Sequence, residues 1–206
     1  MNAYSFPEFS ALPADTAQQL RQLITVHCTE GSHAQLSFFE QADSGWTLRL
    51  RCDAYIGRMG AGKTREGDMK TPLGLFYLSM PFGILTDPSA DDPLRRTATK
   101  YLQINENHYW CGQDGPYYNR LIDASVPPPC WLPSPADEHM CDFAPSYHYG
   151  MFIEYNREGK SGLGSAIFLH CTGRRPYTAG CVAVEEKFMR ELILSLKEGA
   201  AILIFE

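Results

Sequence analysis

The sequence predicts a mainly β fold with long loops, completed by one amphipathic helix near the carboxy terminus. Three observations carry this. Short apolar or alternating runs, rich in β-branched and aromatic residues, recur along the chain, and glycine, proline or asparagine bounds most of them. Only one stretch has a convincing 3.6-residue apolar repeat. Two proline-rich polar stretches, 86–100 and 126–146, interrupt the strand pattern.

In chain order, residues 1–13 form a lead-in and Ala14 to Leu23 is compatible with a short helix. "LITVHC" (23–28), "AQLSFFEQ" (34–41) and "WTLRLRCDAYIG" (46–57) are predicted strands, the last two joined by the polar turn "ADSG". "GLFYLSMPFG" (74–83), "YLQINENHYWC" (101–111), "GMFIEYN" (150–156) and "SAIFLHC" (165–171) continue the series. From Glu185 to Lys197, Phe188, Met189, Leu192, Ile193 and Leu196 share one helical face, with acidic residues at the start and Gly199 beyond the end. "AAILIFE" (200–206) reads as a buried closing strand. Loops as long as 86–100 and 126–146 tend to be lids or binding walls.

A chain of 206 residues suits one domain with a substantial core, taken here as 22–206 after a lead-in of 1–21. A net charge of -6 argues against nucleic-acid and anionic-membrane surfaces, which call for basic patches. No run of about 18 apolar residues is present, so no membrane span is expected. The amino terminus lacks the basic start and apolar centre of a signal peptide, which leaves location unassigned. Seven cysteines, at 28, 52, 111, 130, 141, 171 and 181, are scattered without a C-x-x-C pair, and their odd number leaves at least one thiol free.

"GRMGAGKT" (57–64) has the spacing of a phosphate-binding P-loop. That chemistry needs a helix opening at the Lys-Thr, whose amides and dipole hold the phosphates. The next twelve residues are "REGDMKTPLGLF", in which Gly67, Pro72 and Gly74 preclude a helix. No nucleotide is expected. Lys63, Arg65, Glu66, Asp68 and Lys70 are then read as solvated or as the rim of a cleft.

The richest chemistry lies between His170 and Cys181. A strand ends in His170, a polar loop succeeds it, and Gly180 delivers Cys181 at an accessible corner. Gly180 permits unusual backbone angles, so the amides at 180 and 181 can face a developing oxyanion. An imidazole in reach would activate the thiol and protonate a leaving group. The same residue types also occur in ordinary buried cores.

"GKTREGDMKTPLGLFYLSMPFG", "YN" at 118–119, "GMFIEYN", "GSAIFLH" and "TAGCVAV", in this order, resemble the YkuD-type L,D-transpeptidase catalytic domain, from about Gln22 to the end. The resemblance implies a β-sandwich or barrel that cuts a peptidoglycan stem peptide, holds it as a thioester and passes the acyl group to an amine on a second stem. It implies that Cys181 is the nucleophile, His170 the general base, Gly180 the glycine before the nucleophile, and Thr178 the Ser/Thr of the motif. Tyr149, His148 and Arg174 are candidates to orient His170 or bind substrate. The histidine of the family's S-H-G-C motif is Ala179 here, and the later arginine or asparagine is Ala183, so a T-x-G-C branch is closer. Hydrolysis of the thioester, or an inactive wall-binding module, are the alternatives. The family implies the bacterial envelope, no cofactor and no metal. A zinc set of Cys130, His139, Cys141 and His148 fits no common ligand spacing. A Cys171–Cys181 disulfide is a rival that would disable the nucleophile.

Overall fold

The structure, a computed structural model, describes residues 9, 12, 19–43, 45–91 and 100–206. Its twelve strands are β1 (Gln22–Cys28), β2 (His33–Ala42), β3 (Gly45–Tyr55), β4 (Gly74–Gly83), β5 (Leu102–Gln103), β6 (His108–Cys111), β7 (Arg120–Asp123), β8 (Glu138–His139), β9 (Gly150–Ile153), β10 (Phe168–Cys171), β11 (Val182–Val184) and β12 (Ala201–Phe205). One α-helix, α1 (Glu186–Ser195), lies between the last two.

The large sheet runs β12-β1-β2-β3-β11-β10-β9-β4-β5, and β12 also pairs with β4. The sheet therefore closes on itself, with β5 attached to β4 outside the ring. Closure leaves few unpaired edges, which suits a chain of short strands. A second sheet, β7-β6-β8, stands beside the first and is built partly from the 126–146 stretch.

Alternation along the strands sorts side chains into separate cores. Ile24 and Val26 of β1 join Leu169, Val182 and Val184, α1 adds Met189, Leu192 and Ile193, and Leu196 follows just beyond its end. A second cluster unites Leu23, Phe39, Trp46 and Leu203. The third contains Phe82, Met140, Tyr147, Phe152, Phe168 and Cys181. Phe82, fully buried, is its hub: its ring stacks on Phe152 at 4.5 Å and meets Phe168 edge-on at 5.4 Å. Gly150 makes room for it, since a Cβ there would lie 2.5 Å from the Phe82 ring.

The expected elements recur with shifted limits. The helix expected over 185–197 ends at Ser195, because Leu196 turns extended to bury its side chain. Residues 101–111 form two strands instead of one. Asn105 breaks them apart, its side chain accepting the Asn107 N–H and its carbonyl the His108 N–H. The predicted strand at 165–171 begins only at Phe168, after Ala166 adopts a left-handed φ of 54°. Residues 14–18 of the helix suggested for Ala14–Leu23 lie outside the described residues, and its last two, Gln22 and Leu23, already belong to β1. Of the 86–100 stretch, 92–99 lie outside the described residues, while Pro88–Asp91 packs against α1 through an Arg190–Asp91 pair at 3.1 Å.

Phe82→Ala should lower unfolding free energy by about 3–5 kcal/mol, because its cavity cannot collapse between rings held from three sides. Urea denaturation followed by tryptophan fluorescence measures it; a loss below about 1 kcal/mol would contradict the hub assignment.

Candidate active site

β10 and β11 run parallel, with Leu169 opposite Val182 and His170 opposite Ala183. Alternation sends Leu169 and Val182 into the main core and leaves His170 and Cys181 on the other face. Both are buried, at 6% and 7% exposure, yet both line a 260 Å³ cavity with Tyr147, Arg174 and Tyr177. Cys181 also lines a second cavity of 310 Å³, shared with Lys63, Glu66 and Trp110. Glu138, from the 126–146 stretch, lines both.

The corner before Cys181 is fixed by Thr178. Its hydroxyl donates to the Cys181 carbonyl at 2.7 Å and accepts the Gly180 N–H at 3.1 Å. Gly180 has a φ of 153°, and a Cβ there would approach the Lys70 carbonyl oxygen at 2.9 Å. Backbone geometry and space both demand glycine.

The sulfur accepts the Phe168 N–H at 3.3 Å and donates its proton to the Ala166 carbonyl at 3.1 Å. No hydrogen bond joins it to His170 among the described residues. His170 donates Nδ1–H to the Cys171 carbonyl at 2.7 Å, which leaves Nε2 as the basic nitrogen. Burial pushes the imidazole down to about 4 against the pull of that carbonyl. Burial also pushes the Cys181 thiol up to about 12, with the Glu138 charge adding to it and the Phe168 amide and Lys63 opposing. The resting pair is therefore neutral thiol and neutral imidazole.

The walls are tied down by polar contacts. Tyr147 OH donates to Glu138 at 2.6 Å, and burial raises the Glu138 carboxyl to about 7 against that hydrogen bond, with Glu66 adding to the rise. Asn119 joins strand β6 to two loops: Oδ1 accepts from Trp110 Nε1 and Ala166 N, while Nδ2 donates to the Tyr155 and Asn156 carbonyls. Tyr118 OH donates to Glu66 and accepts the Gly164 N–H. The "YN" pair is thus a structural bracket beneath the site.

A sequence model of the L,D-transpeptidase catalytic domain, YkuD, matches residues 30–204. The chain belongs to the YkuD family. No curated protein matches it. Solved structures similar to it include Bdellovibrio bacteriovorus Bd1075, at 19% identity over 90% of this chain and 48% of that one, TM-score 0.46. The helical cell shape determining protein Pgp2 of Campylobacter jejuni is similar at 16% identity over 89% and 46%, TM-score 0.45. A mutant L,D-transpeptidase of Enterococcus faecium matches at 16% over 90% and 50%, TM-score 0.38. The chain spans about half the length of these structures.

Within this YkuD domain the sequence-derived candidates divide. Cys181, His170, Gly180, Thr178 and Arg174 gather at the cavities. Tyr149 and His148 do not: Tyr149 is buried in the main core, and His148 Nδ1 pairs with Glu186 on α1 at 2.8 Å. The Gly180 amide, expected to face an oxyanion, is occupied by Thr178 in this resting arrangement. Glu138, Tyr147 and Trp110 escape sequence reasoning, because they arrive from segments distant in sequence and no local spacing marks them, whereas Lys63, read as solvated or as a cleft rim, does line the 310 Å³ cavity. The segment resembling a P-loop leads into no helix; its Lys63 pairs with Asp68 at 2.9 Å, both side chains under 10% exposed. This corrects the solvated reading of these two residues. The Asp68 carboxylate also accepts from the Thr64, Arg65 and Lys70 amides, filling with an internal anion the place a phosphate would take. Burial would raise that carboxyl, but these hydrogen bonds hold it well below the usual range.

All seven cysteines are free. Cys171 points into the main core, one residue from His170 and on the opposite face, so alternation of β10 keeps it from Cys181. Of the zinc set, His139 and Cys141 meet, joined by Asp142, while His148 is engaged at α1.

The shifted groups lead to two expected outcomes. Alkylation of Cys181 by iodoacetamide, mapped by mass spectrometry, should climb about tenfold per pH unit to at least about pH 10, since only thiolate reacts; a plateau near pH 8 would contradict the raised thiol. Folding stability involves opposite signs. His170, depressed to about 4 from 6.5, contributes stability that is full above 6.5 and lost as pH falls to 4. Glu138, raised to about 7 from 4.5, contributes stability that is full below 4.5 and lost as pH rises to 7. Glu138→Gln removes only the second, so its denaturation midpoint should rise more steeply than the wild type's between pH 4.5 and 6.5. An unchanged slope would count against the Glu138 shift.

Proposed function

We propose that this YkuD domain is a cysteine acyltransferase acting on peptidoglycan stem peptides through a thioester on Cys181. The observation that carries the proposal is the shared cavity: sulfur and imidazole open onto one space, with Nδ1 held by a backbone carbonyl and Nε2 left basic. Membership of the family supplies the substrate class.

In the proposed reaction the thiol turns from Ala166 toward His170, whose Nε2 takes its proton as the sulfur attacks the donor carbonyl carbon. Because the resting pair is neutral, proton transfer accompanies attack rather than preceding it. The Cys181 N–H holds the oxyanion; no side chain among the described residues accepts from it. The Gly180 N–H joins on release from Thr178. Collapse breaks the carbon–nitrogen bond, and the leaving amine takes the proton from His170. An amine or water then attacks the thioester, giving its proton to His170, which returns it to the sulfur.

Incubation of the full chain with a stem tetrapeptide should give an acyl adduct on Cys181 by intact-mass spectrometry. Cys181→Ser should give no thioester, and His170→Gln should form it about 100-fold more slowly or worse. Absence of an adduct on the wild-type chain, or an equal adduct on Cys181→Ser, would sink the proposal. Adding a second stem peptide separates transfer from hydrolysis by the cross-linked product.

A further inference from the structure

The two cavities that meet at Cys181 differ in charge. Arg174 and Arg175, both exposed, stand at the rim of the 260 Å³ cavity. The 310 Å³ cavity is lined by one cation, Lys63, and two carboxylates, Glu66 and Glu138. Lys63 is already neutralised by Asp68 at 2.9 Å, with both side chains buried. The hydrogen-bond donors that reach the two carboxylates all carry no charge: the Tyr118 and Ser165 hydroxyls and the Gly67 amide on Glu66, the Tyr147 hydroxyl on Glu138. Among the described residues no basic side chain pairs with Glu138, and no hydrogen bond reaches its Oε1. That oxygen is not sealed off either, since Glu138 contributes to the lining of both cavities. Tyr147, itself fixed against Phe82, Phe168 and His170, holds the carboxyl in place. The indole of Trp110 lines the same cavity, and an indole in such a place favours a cation.

We propose that Glu138 is a specificity-determining residue whose carboxylate binds the primary ammonium of a peptide side chain seated beside Cys181. The inference rests on the acyl-transfer reading of that cysteine and names the chemistry of the peptide it selects: one bearing an alkylammonium group, as lysine-like and diamino-acid residues do. A carboxylate enclosed by protein and lacking a counter-ion is costly to hold. An arriving ammonium supplies that counter-ion, whereas an amide at the same place does not. Glu66 adds a second negative charge behind it. Seating the cation also cancels the Glu138 charge that disfavours the Cys181 thiolate, which links selection of the peptide to activation of the sulfur.

The test uses the full chain carrying Cys181→Ala, which allows binding to be measured without turnover, and two lysine-containing stem peptides identical except for acetylation of the side-chain amine. Calorimetry should give about tenfold tighter binding of the free-amine peptide, a gap expected of one enclosed charge pair. Adding Glu138→Gln should abolish the gap by weakening only the free-amine peptide. Glu138→Asp, which keeps the charge on a shorter stem, should retain part of it and serves if the glutamine variant does not fold. Equal binding of the two peptides, a gap that survives Glu138→Gln, a loss common to both peptides, or no binding of either overturns the subsite. The adduct on Cys181 is read separately in the chain with its cysteine intact. An adduct without ammonium preference sinks the subsite alone; ammonium preference without an adduct sinks the acyl-transfer reading alone.

Discussion

The parallel pairing of β10 with β11 is the constraint on which the site depends. A shift of one residue in that register would turn either His170 or Cys181 into the main core, because strand side chains alternate. With Leu169 opposite Val182, His170 and Cys181 face the same cavity while their neighbours Leu169, Cys171, Val182 and Val184 anchor the strands from behind. The cavity-facing and core-facing sides of these two strands are one residue apart. Closure of the sheet through β12 and β4 then fixes the strands that flank them.

Around this pair the polar groups serve mostly to hold the backbone. Thr178 closes the corner before Cys181, Asn119 ties Trp110 and Ala166 to the 155–156 turn, and Asp68 gathers three amides and the Lys63 ammonium. Each satisfies backbone or side-chain donors of the surrounding segments, and such partners let loops approach a buried centre without destabilising it. Glu138 is different in kind. Its one named donor is a neutral hydroxyl, so the charge it carries when ionised is left for something outside the protein to balance.

The neutral state of the thiol–imidazole pair also has a physical source. Aromatic rings enclose it: Phe168 and Tyr147 meet each other, Tyr147 meets His170, and Trp110 packs on Phe168. Such surroundings penalise both thiolate and imidazolium, and so keep the thiol protonated and weakly nucleophilic. For the proposed reaction this is an off state, with one amide, that of Gly180, and one sulfur rotamer to be released on binding.

Local pattern in the sequence determined the strand-rich class, the single carboxy-terminal helix, the lack of a helix after the Lys63–Thr64 turn, and the choice of His170 and Cys181 as candidates, which the structure sets on one cavity. Each of these is written in neighbouring residues: apolar spacing, glycine and proline positions, a corner glycine before a cysteine. Tertiary structure alone decided the rest. Glu138 stands 43 positions before Cys181, and Glu66 lies 115 before it, so no periodicity could have joined them to that cysteine. His148 and Tyr149, although adjacent in sequence to the strand beside His170, are turned toward α1 and the main core. Lys63 and Asp68, polar in a charged turn, are buried because the 160s loop folds over them, as the 2.2 Å that a Cβ at Gly164 would leave to Lys63 makes plain. Burial and charge balance are sums over contacts distant in sequence, and a one-dimensional pattern records only the near ones.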